Sequence, residues 1–277
     1  MEFTYQIPRR GLTVDNLLRE EWRLGKKQVH ELRMAKSVMD LKGIPLNWSV
    51  PLEAGTELLI RTPDTSSLYT PERNPDTEIR FEDEHLLIAC KPAGMPTHPN
   101  EPGQHGTCVN AVLGHIAESG GTYAEHIHRL DQGTSGLVLF AKHPIAKSIL
   151  DRLLEEKQIQ REYVAETEGV IRKNSGTITG AIGKDRHHPT RRRVSSSGKP
   201  AVTHYEVLER GKNTTRLRLR LDTGRTHQIR VHLASIGHPI AGDELYGATP
   251  AKGGYRLCAD RLSFEHPFTH EWINVNK

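Results

Sequence analysis

The spacing of apolar residues predicts a chain built mainly from strands. Short apolar segments at 86–89, 136–140, 162–165 and 217–221 are strand candidates, and the last alternates leucine with arginine, as a half-buried strand does. Helices are few and scattered, and strands and helices do not alternate regularly along the chain. The pattern therefore predicts an α+β domain with a largely antiparallel sheet rather than a doubly wound parallel fold.

Two helices are predicted in this strand-rich part. One begins at Pro144, a residue favoured at the first helical position, with Ile145, Ile149 and Leu153 at four-residue steps. The other is bracketed by Thr226 as its cap and Gly237 as its stop.

The first sixty residues are typical of a separate small module. Thr13 is expected to cap a helix that carries Val14, Leu17, Leu18 and Trp22, a basic stretch covers 23–33, and strand-like pieces follow at 38–41 and 58–60. A segment rich in Pro, Ser and Thr comes next and is typical of a linker. We expect a first domain at 1–62, a linker at 63–78 and a larger domain at 79–277.

Composition adds an expectation about location. Hydrophobic residues make up 35% of the chain and charged residues 26%, which fits a packed core. The three cysteines, Cys90, Cys108 and Cys258, lie far apart, which indicates a reducing compartment and neither a disulfide framework nor a cysteine zinc site. The start of the chain lacks the basic and apolar segments of a signal peptide, and no apolar run is long enough to span a bilayer. We expect a cytoplasmic protein without a membrane partner.

One segment concentrates positive charge. Between positions 184 and 199, six basic side chains face a single carboxylate, Asp185, although the net charge of the whole chain is only +4. Such a cluster attracts phosphates and points to nucleic acid. A solvated surface loop is the simpler explanation of the same run, and the segment alone leaves the nucleic-acid interpretation open.

Asp131 is the first candidate for a reactive group. It lies beside Arg129 in a glycine-punctuated loop that leads into an apolar strand, and loops held by rigid elements often carry chemistry. An aspartate that only caps a turn gives the same pattern. Tyr163 and Arg230 are possible companions, since a nearby arginine favours the ionised carboxylate. Sequence spacing alone does not bring these residues together.

Other chemistries are disfavoured. Sixteen histidines invite a metal site, but no His-Glu-x-x-His, cysteine pair or acidic ligand string supports one. His128-Arg129-Leu130-Asp131 matches part of a kinase catalytic loop, yet the glycine-rich cover, strand lysine and Asp-Phe-Gly of kinases are missing. Ser135 does not lie in a Gly-x-Ser-x-Gly motif, which removes the simplest serine-hydrolase interpretation.

Five stretches in order resemble the RluA family of pseudouridine synthases. They are Glu82–Leu87 running into Lys91–Gly94, His128–Asp131 with Thr134–Gly136, Arg161–Tyr163, Gly198–Thr203, and Thr223–His232 leading to Gly242-Asp243. The resemblance covers about 79–269, and the first module resembles, more weakly, an S4 RNA-binding domain. The chain departs from the family at Arg161, where lysine is usual, and at Cys258, where histidine is common.

The resemblance implies a fold, an activity and roles for residues. The fold would be a mixed, largely antiparallel α+β domain preceded by a small α/β S4-like domain. The activity would be isomerisation of uridine to pseudouridine in structured RNA, foremost ribosomal RNA with transfer RNA left open, by a monomer without cofactor or metal. Asp131 would attack C1′ or remove the C2′ proton, Arg230 would keep it ionised, and Tyr163 would pack against the uracil. Arg129 would fill the space left by the flipped uridine, and three residues of the basic segment would hold phosphates: Arg191, Arg192 and Lys199.

Two other classes of function stay open at this point. The chain is also compatible with a non-catalytic RNA-binding or ribosome-assembly factor that retains the fold, although such a protein has no need of Asp131, Tyr163 and Arg230 together. A hydrolytic glycosidase is the third class, and it would usually require two cooperating carboxylates.

Overall fold

The computed structural model describes residues 1–63 and 65–277; Asp64, within the predicted linker, lies outside the described residues. The first part of the chain contains a three-stranded antiparallel sheet in the order β1-β3-β2. Its elements are β1 (Glu2–Gln6), α1 (Val14–Asn16, extended by a π-helical turn at Leu17–Glu21), α2 (Lys26–Met34), β2 (Val38–Met39) and β3 (Glu57–Arg61). Thr13 caps α1 by accepting the backbone N–H of Asn16, as predicted. Most of α2 lies in the basic stretch at 23–33, and the apolar spacing does not predict this helix.

The larger part is organised around a ten-stranded sheet. Its strands are β4 (Glu78–Glu82), β5 (Leu86–Lys91), β6 (Glu125–His126), β7 (Ser135–Ala141), β8 (Gln160–Glu168), β9 (Ser175–Thr179), β12 (Val202–Arg210), β13 (Thr214–Leu221), β14 (Leu257–Glu265) and β15 (Trp272–Asn276). The main path runs β4-β5-β7-β14-β8-β13-β12-β9. Strands β7 and β14 are parallel, and the other neighbouring pairs are antiparallel. The predicted α+β class with a mixed, largely antiparallel sheet is confirmed.

Three helices pack on this sheet: α3 (Cys108–Glu118), α4 (Pro144–Glu155) and α5 (Gln228–Ser235). Helix α4 begins at Pro144, as predicted. The predicted cap of α5 is wrong, because the helix begins after His227, whose backbone is left-handed with φ of 57°, and no side chain caps it. Helix α3 was not predicted; Thr107 and Asn110 form a capping box at its start.

The basic segment is a β-hairpin rather than a loop. Strand β10 (Ile182–Lys184) pairs with β11 (Arg192–Val194), and residues 185–191 form the tip. We call residues 182–199 the basic hairpin. The pairing of Lys199 with Ile182 closes its base, so the positive side chains are held on ordered backbone.

The first module packs against the larger one through aromatic rings. The Phe3 ring on β1 lies 4.9 Å from that of His143 and 5.5 Å from that of Phe268. Trp22 lies 5.3 Å from Phe268, and one apolar cluster joins the first module to β5, β7 and α4. The two modules are thus in direct contact, while the boundaries 1–62, 63–78 and 79–277 stay a prediction. In the part of the chain that the structure describes, none of the helices is long and apolar enough to cross a membrane.

Two neutral histidines lie at this contact between the modules. His143 accepts the backbone N–H of Ala146 at Nδ1, 3.2 Å away. Its Nε2–H therefore donates to Nδ1 of His85 across 3.0 Å. Burial lowers the pKa of His85 to about 4 and that of His143 to about 3, although Asp83 acts in the opposite direction.

We expect the free energy of unfolding to fall as the pH drops from about 6.5 toward 4. In that window the unfolded chain binds protons that the folded histidines do not, so acid favours unfolding, and His85 alone lowers the free energy of unfolding by roughly 2 kcal/mol at pH 5. Denaturant midpoints at pH 7.5 and pH 5 measure the effect. His85→Gln, which keeps an acceptor for His143, should reduce the difference between the two pH values, and the exposed His30→Gln should not. An unchanged pH dependence in His85→Gln would contradict the assignment.

Candidate active site

Four of the predicted site residues line one cleft. The cleft has a volume of about 820 Å³ and lies between the loop before β7, the start of β8 and the segment from β13 to α5. Arg129, Asp131, Tyr163 and Arg230 all face it. The topology explains this meeting, because β14 lies between β7 and β8 in the sheet. Ser135, the first residue of β7, lies opposite Cys258 of β14, which lies opposite Val164 of β8, so the loop before β7 comes close to Tyr163.

The backbone of Asp131 shapes its loop, whereas its carboxylate faces the cleft. Its carbonyl oxygen accepts the N–H of Thr134 at 3.0 Å and closes a turn, which accounts for the turn-like pattern of this loop. Its side chain is 22% exposed and points toward two basic groups. Nη1 of Arg230 lies 3.5 Å from Oδ2, and Nε2 of His227 lies 3.9 Å from the same oxygen. Among the described residues, Oδ1 has no ion-pair or hydrogen-bond partner.

Arg230 has a closer partner than the predicted one. Its Nε and Nη2 donate to Asp243 at 2.7 and 2.8 Å in a bidentate pair, whereas Asp131 is farther away. Arg230 does lie within ion-pair distance of Asp131, but its main anchor is Asp243, a residue at the end of the family-like stretch for which the sequence predicted no role. Burial acts to lower the pKa of Arg230, and the hydrogen bonds to Asp243 outweigh it and raise the pKa above its usual value. The guanidinium stays charged and fixed.

Two tyrosines complete the surroundings of Arg230. Its Cζ lies 5.0 Å from the ring centroid of Tyr246 and 4.3 Å from that of Tyr255, distances at which a cation is attracted to an aromatic face. The Tyr255 hydroxyl also lies 3.1 Å from Oγ1 of Thr134 in the Asp131 loop. Burial, with a contribution from Asp131, raises the pKa of Tyr255 to about 12, so this phenol remains protonated at neutral pH.

His227 lies at the turn into α5 and faces Asp131. Its Nδ1 lies 2.8 Å from the hydroxyl of Tyr246. Burial lowers the pKa of His227, although Asp131 acts in the opposite direction. The imidazole is therefore favoured in its neutral form, with its Nε2 edge toward the carboxylate.

Tyr163 forms a buried wall of the cleft. It lies on β8 opposite Leu219 and Ala259 and is 5% exposed. Burial raises the pKa of its phenol, and the nearby Asp131 adds to the effect. Its neutral ring belongs to the apolar cluster under the sheet and offers a surface against which a planar group can pack.

Arg129 and Arg161 are two of the cleft arginines that have no carboxylate partner in the described structure. Arg129 is exposed, and Arg161 is partly buried at the start of β8. Because the chain itself does not neutralise them, both suit an anionic ligand. Arg161, where the family usually has lysine, therefore keeps a cation in the cleft. Cys258, the second departure from the family, lies next to Leu257, a residue of the cleft wall.

The basic hairpin lies outside the residues that line the cleft. Arg191 pairs with Asp185 across 2.7 Å, and Lys199 is exposed at the base of the hairpin. The backbone N–H of Arg192 donates to the Tyr246 hydroxyl at 3.0 Å. The structure thus does not bring Arg191, Arg192 and Lys199 to Asp131, but it connects their hairpin to the site through Tyr246.

Four residues of this site have no role predicted from the sequence: His227, Asp243, Tyr246 and Tyr255. The first two lie in the motif at 223–243, and Tyr246 follows it by three residues. Their position in or near this motif was the signal in the sequence that could have identified these three residues. Nothing in the sequence around Tyr255 indicates that its ring reaches Arg230.

Lys91 holds the Asp131 loop from beneath. It is fully buried, and its Nζ donates to the carbonyl oxygens of Pro92, Met95 and Gln132 at 2.7 to 3.1 Å. Burial lowers its pKa to about 8. Gln132 directly follows Asp131, so the ammonium group ties the loop to the end of β5.

We expect Lys91→Met to leave these carbonyl groups without a donor and to lower the free energy of unfolding by roughly 2–4 kcal/mol. The shifted loop should also slow any reaction that depends on Asp131. Denaturant unfolding and activity assays check both effects, with the exposed Lys173→Met as the matched control. A variant with wild-type stability and activity would show that the loop does not depend on Lys91.

Comparison with known proteins gives two matching family models. Residues 85–235 match the model described as RNA pseudouridylate synthase. Residues 1–58 match the N-terminal domain of the RluD ribosomal pseudouridine synthase.

Individual relatives agree with these matches. The chain is 50% identical over 207 residues to the uncharacterized RNA pseudouridine synthase YhcT of Bacillus subtilis, covering 72% of this chain and 67% of that protein. It is 47% identical over 173 residues to the ribosomal large subunit pseudouridine synthase D of Nitrosomonas europaea, covering 62% and 50%. Among solved structures, human RNA pseudouridylate synthase domain containing 1 matches with a TM-score of 0.61 and 25% identity, covering 73% of this chain and 82% of that one.

Proposed function

The chain belongs to the RNA pseudouridylate synthase family, and we propose that it isomerises uridine to pseudouridine in ribosomal RNA with Asp131 as the essential carboxylate. The ribosomal substrate is proposed because relatives such as the Nitrosomonas europaea protein carry a ribosomal large subunit name. We propose further that the enzyme acts as a monomer in the cytoplasm.

The observation that carries the proposal is the arrangement around Asp131. Oδ2 faces Arg230 and His227, while Oδ1 is directed by no other group of the described chain. A carboxylate must be ionised to act as a nucleophile or base, and a fixed guanidinium beside it favours that form. Both alternatives for the first step, attack on C1′ and removal of the C2′ proton, require this state.

The reaction needs a closed and well-aimed cleft rather than an external reagent. The bond between N1 and C1′ breaks, the uracil turns, C5 bonds to C1′, and overall the C5 proton is lost while N1 gains one. The neutral ring of Tyr163 would pack against the uracil and limit its movement during the turn. The bidentate pair of Arg230 with Asp243 would keep the guanidinium, and hence Asp131, in place through both bond changes.

Access to a stacked uridine requires that the nucleotide be turned out of the RNA. Arg129 is exposed, adjacent in sequence to the Asp131 loop, and free of carboxylate partners in the described residues. We propose that its side chain occupies the space vacated by the flipped uridine. The planar guanidinium suits this role, since it stacks on neighbouring bases as well as pairing with phosphates.

Chemical mapping of pseudouridine tests the function and the class of RNA. Wild-type protein is incubated with large-subunit ribosomal RNA and with transfer RNA transcripts, and modified positions are read by reverse transcription after carbodiimide treatment. The proposal predicts pseudouridine at defined positions of the ribosomal transcript. Pseudouridine only in transfer RNA would overturn the proposed substrate, free uracil would indicate hydrolysis, and binding without product would favour an assembly factor.

The basic hairpin is proposed to hold phosphates of the RNA through Arg191, Arg192 and Lys199. We expect Arg192→Ala together with Lys199→Ala to weaken RNA binding, since both side chains are among these proposed phosphate contacts and neither forms an ion pair among the described residues. The slope of log affinity against log salt should become shallower by about one for each phosphate that the variant no longer binds. Binding titrations at several salt concentrations measure this, with Lys212→Ala as the control. An unchanged slope would show that the hairpin is only a solvated surface.

A further inference from the structure

Tyr246 stands at the centre of contacts that the proposed reaction has not used. It ends a one-turn 3₁₀ helix at Glu244–Tyr246, which directly follows Asp243. Its ring lies against the guanidinium of Arg230. Its hydroxyl lies within hydrogen-bond distance of the backbone N–H of Arg192 at 3.0 Å and of Nδ1 of His227 at 2.8 Å.

The positions of the protons follow from these two hydrogen bonds. The N–H of Arg192 is only a donor, so the Tyr246 oxygen accepts there. The hydroxyl proton then has one acceptor among the residues that the structure describes, Nδ1 of His227. Donation to Nδ1 places the ring proton of the neutral imidazole on Nε2. Nε2 is the ring nitrogen nearer to Asp131, 3.9 Å from its Oδ2.

We infer that Tyr246 is a positioning residue for the reaction. Its hydroxyl fixes the tautomer and the direction of the His227 ring, and two N–H donors thereby face Oδ2 of Asp131. This inference rests on the proposed function. The second donor is Nη1 of Arg230, 3.5 Å from Oδ2. With both donors on one oxygen, Oδ1 is the oxygen presented to the ribose. Distances of 3.5 and 3.9 Å in the free enzyme leave room for the donors to close when substrate binds.

The basic hairpin enters this arrangement through its backbone. The bond from the N–H of Arg192 orients the hydroxyl, and it does so whatever side chain position 192 carries. Removal of hairpin side chains should therefore affect RNA binding, and removal of the Tyr246 hydroxyl should affect the chemical step. The two kinds of substitution therefore distinguish the affinity for RNA from the rate of pseudouridine formation.

Matched substitutions test the inference. Tyr246→Phe removes the hydroxyl and keeps the ring over Arg230, and His227→Gln removes the imidazole. The double variant combines them. Tyr205→Phe on β12 is the control, since its hydroxyl forms no hydrogen bond among the described residues. Pseudouridine formation is measured under single-turnover conditions at saturating enzyme, and RNA affinity is measured separately.

We expect Tyr246→Phe to slow pseudouridine formation about tenfold to hundredfold, the range that small misplacements of reacting groups produce. RNA affinity should stay within about twofold, since the hydroxyl is held inside the protein by Arg192 and His227. The double variant should be no slower than His227→Gln alone, because a residue that acts through another contributes nothing once the other is removed.

Three results would overturn the inference. The first is wild-type rate in Tyr246→Phe. The second is a double variant whose rate reduction is the product of the two single reductions, which would indicate independent or merely structural effects. The third is a wild-type protein that forms no pseudouridine, which contradicts the proposed function and the inference with it. In the first two results the wild-type protein still forms pseudouridine, so the proposed function stands and only the role of Tyr246 is refuted.

Discussion

Asp131→Asn is expected to lower the rate of pseudouridine formation by at least about 1000-fold, as removal of an essential nucleophile or base does. The amide keeps the shape of the side chain, but it neither attacks C1′ nor accepts the C2′ proton. Because Lys91 and Thr134 hold this loop through backbone carbonyl groups, the fold and the affinity for RNA should persist. Single-turnover rates and RNA titrations measure the two quantities.

The matched control is Asp151→Asn on the outer side of α4, where the carboxylate pairs with Lys147. This variant should keep wild-type activity. If Asp131→Asn also retained it, the chemistry would belong to a different residue. If the variant lost RNA affinity together with activity, Asp131 would act in binding rather than in the reaction.

Arg230→Met is expected to affect stability and activity together. It leaves Asp243, 1% exposed, as an unpaired buried carboxylate, and removal of one partner of a buried ion pair costs roughly 3–5 kcal/mol. It also removes the guanidinium beside Asp131, so pseudouridine formation should fall by about 100-fold or more. Denaturant unfolding and single-turnover assays give the two numbers.

A second substitution separates the two effects. Arg230→Met combined with Asp243→Leu removes the whole buried pair, and such replacements are often neutral for stability. We expect the double variant to regain most of the stability and none of the activity. Recovery of activity along with stability would show that Arg230 serves the fold alone.

The strand-rich core and one helix were predictable because their signals are local. The alternation at 217–221 places leucine inside and arginine outside on β13, and Pro144 marks the start of α4. The α+β class follows from these patterns. Helix α3 was not predictable in this way because seven of its eleven residues are buried, so its sequence carries only a narrow polar face by which a helix is recognised.

The candidate reactive loop around Asp131 could be found in the sequence, but the residues that contact it could not be ranked. Asp131 stands out because an acid, an arginine and glycines precede an apolar strand. Arg230 and Asp243 come from a helix and a following turn, and only the fold brings them to this loop. That Asp243 is the nearer partner of Arg230 depends on the path of 12 intervening residues, which no periodicity determines.

The basic hairpin and the left-handed turn at His227 were predicted wrongly for a different reason. Residues 184–199 contain turn formers and charges, so short-range signals favoured a loop, whereas backbone pairing of β10 with β11 sets the structure. Thr226 had the chemistry of a helix cap, yet His227 takes the left-handed conformation that directs its ring toward Asp131. The local rule for helix caps therefore fails at Thr226, where the tertiary structure sets the backbone of the next residue.

The most direct test of the central claim is tritium release from ribosomal RNA labelled at uridine C5, under single-turnover conditions, with wild-type protein and Asp131→Asn in parallel. The bond from C5 to hydrogen must break in isomerisation, whereas binding and hydrolysis leave it intact. We predict release in proportion to pseudouridine formed by the wild-type protein, and none above background with Asp131→Asn. Equal release by both proteins, or free uracil without tritium release, would contradict the account.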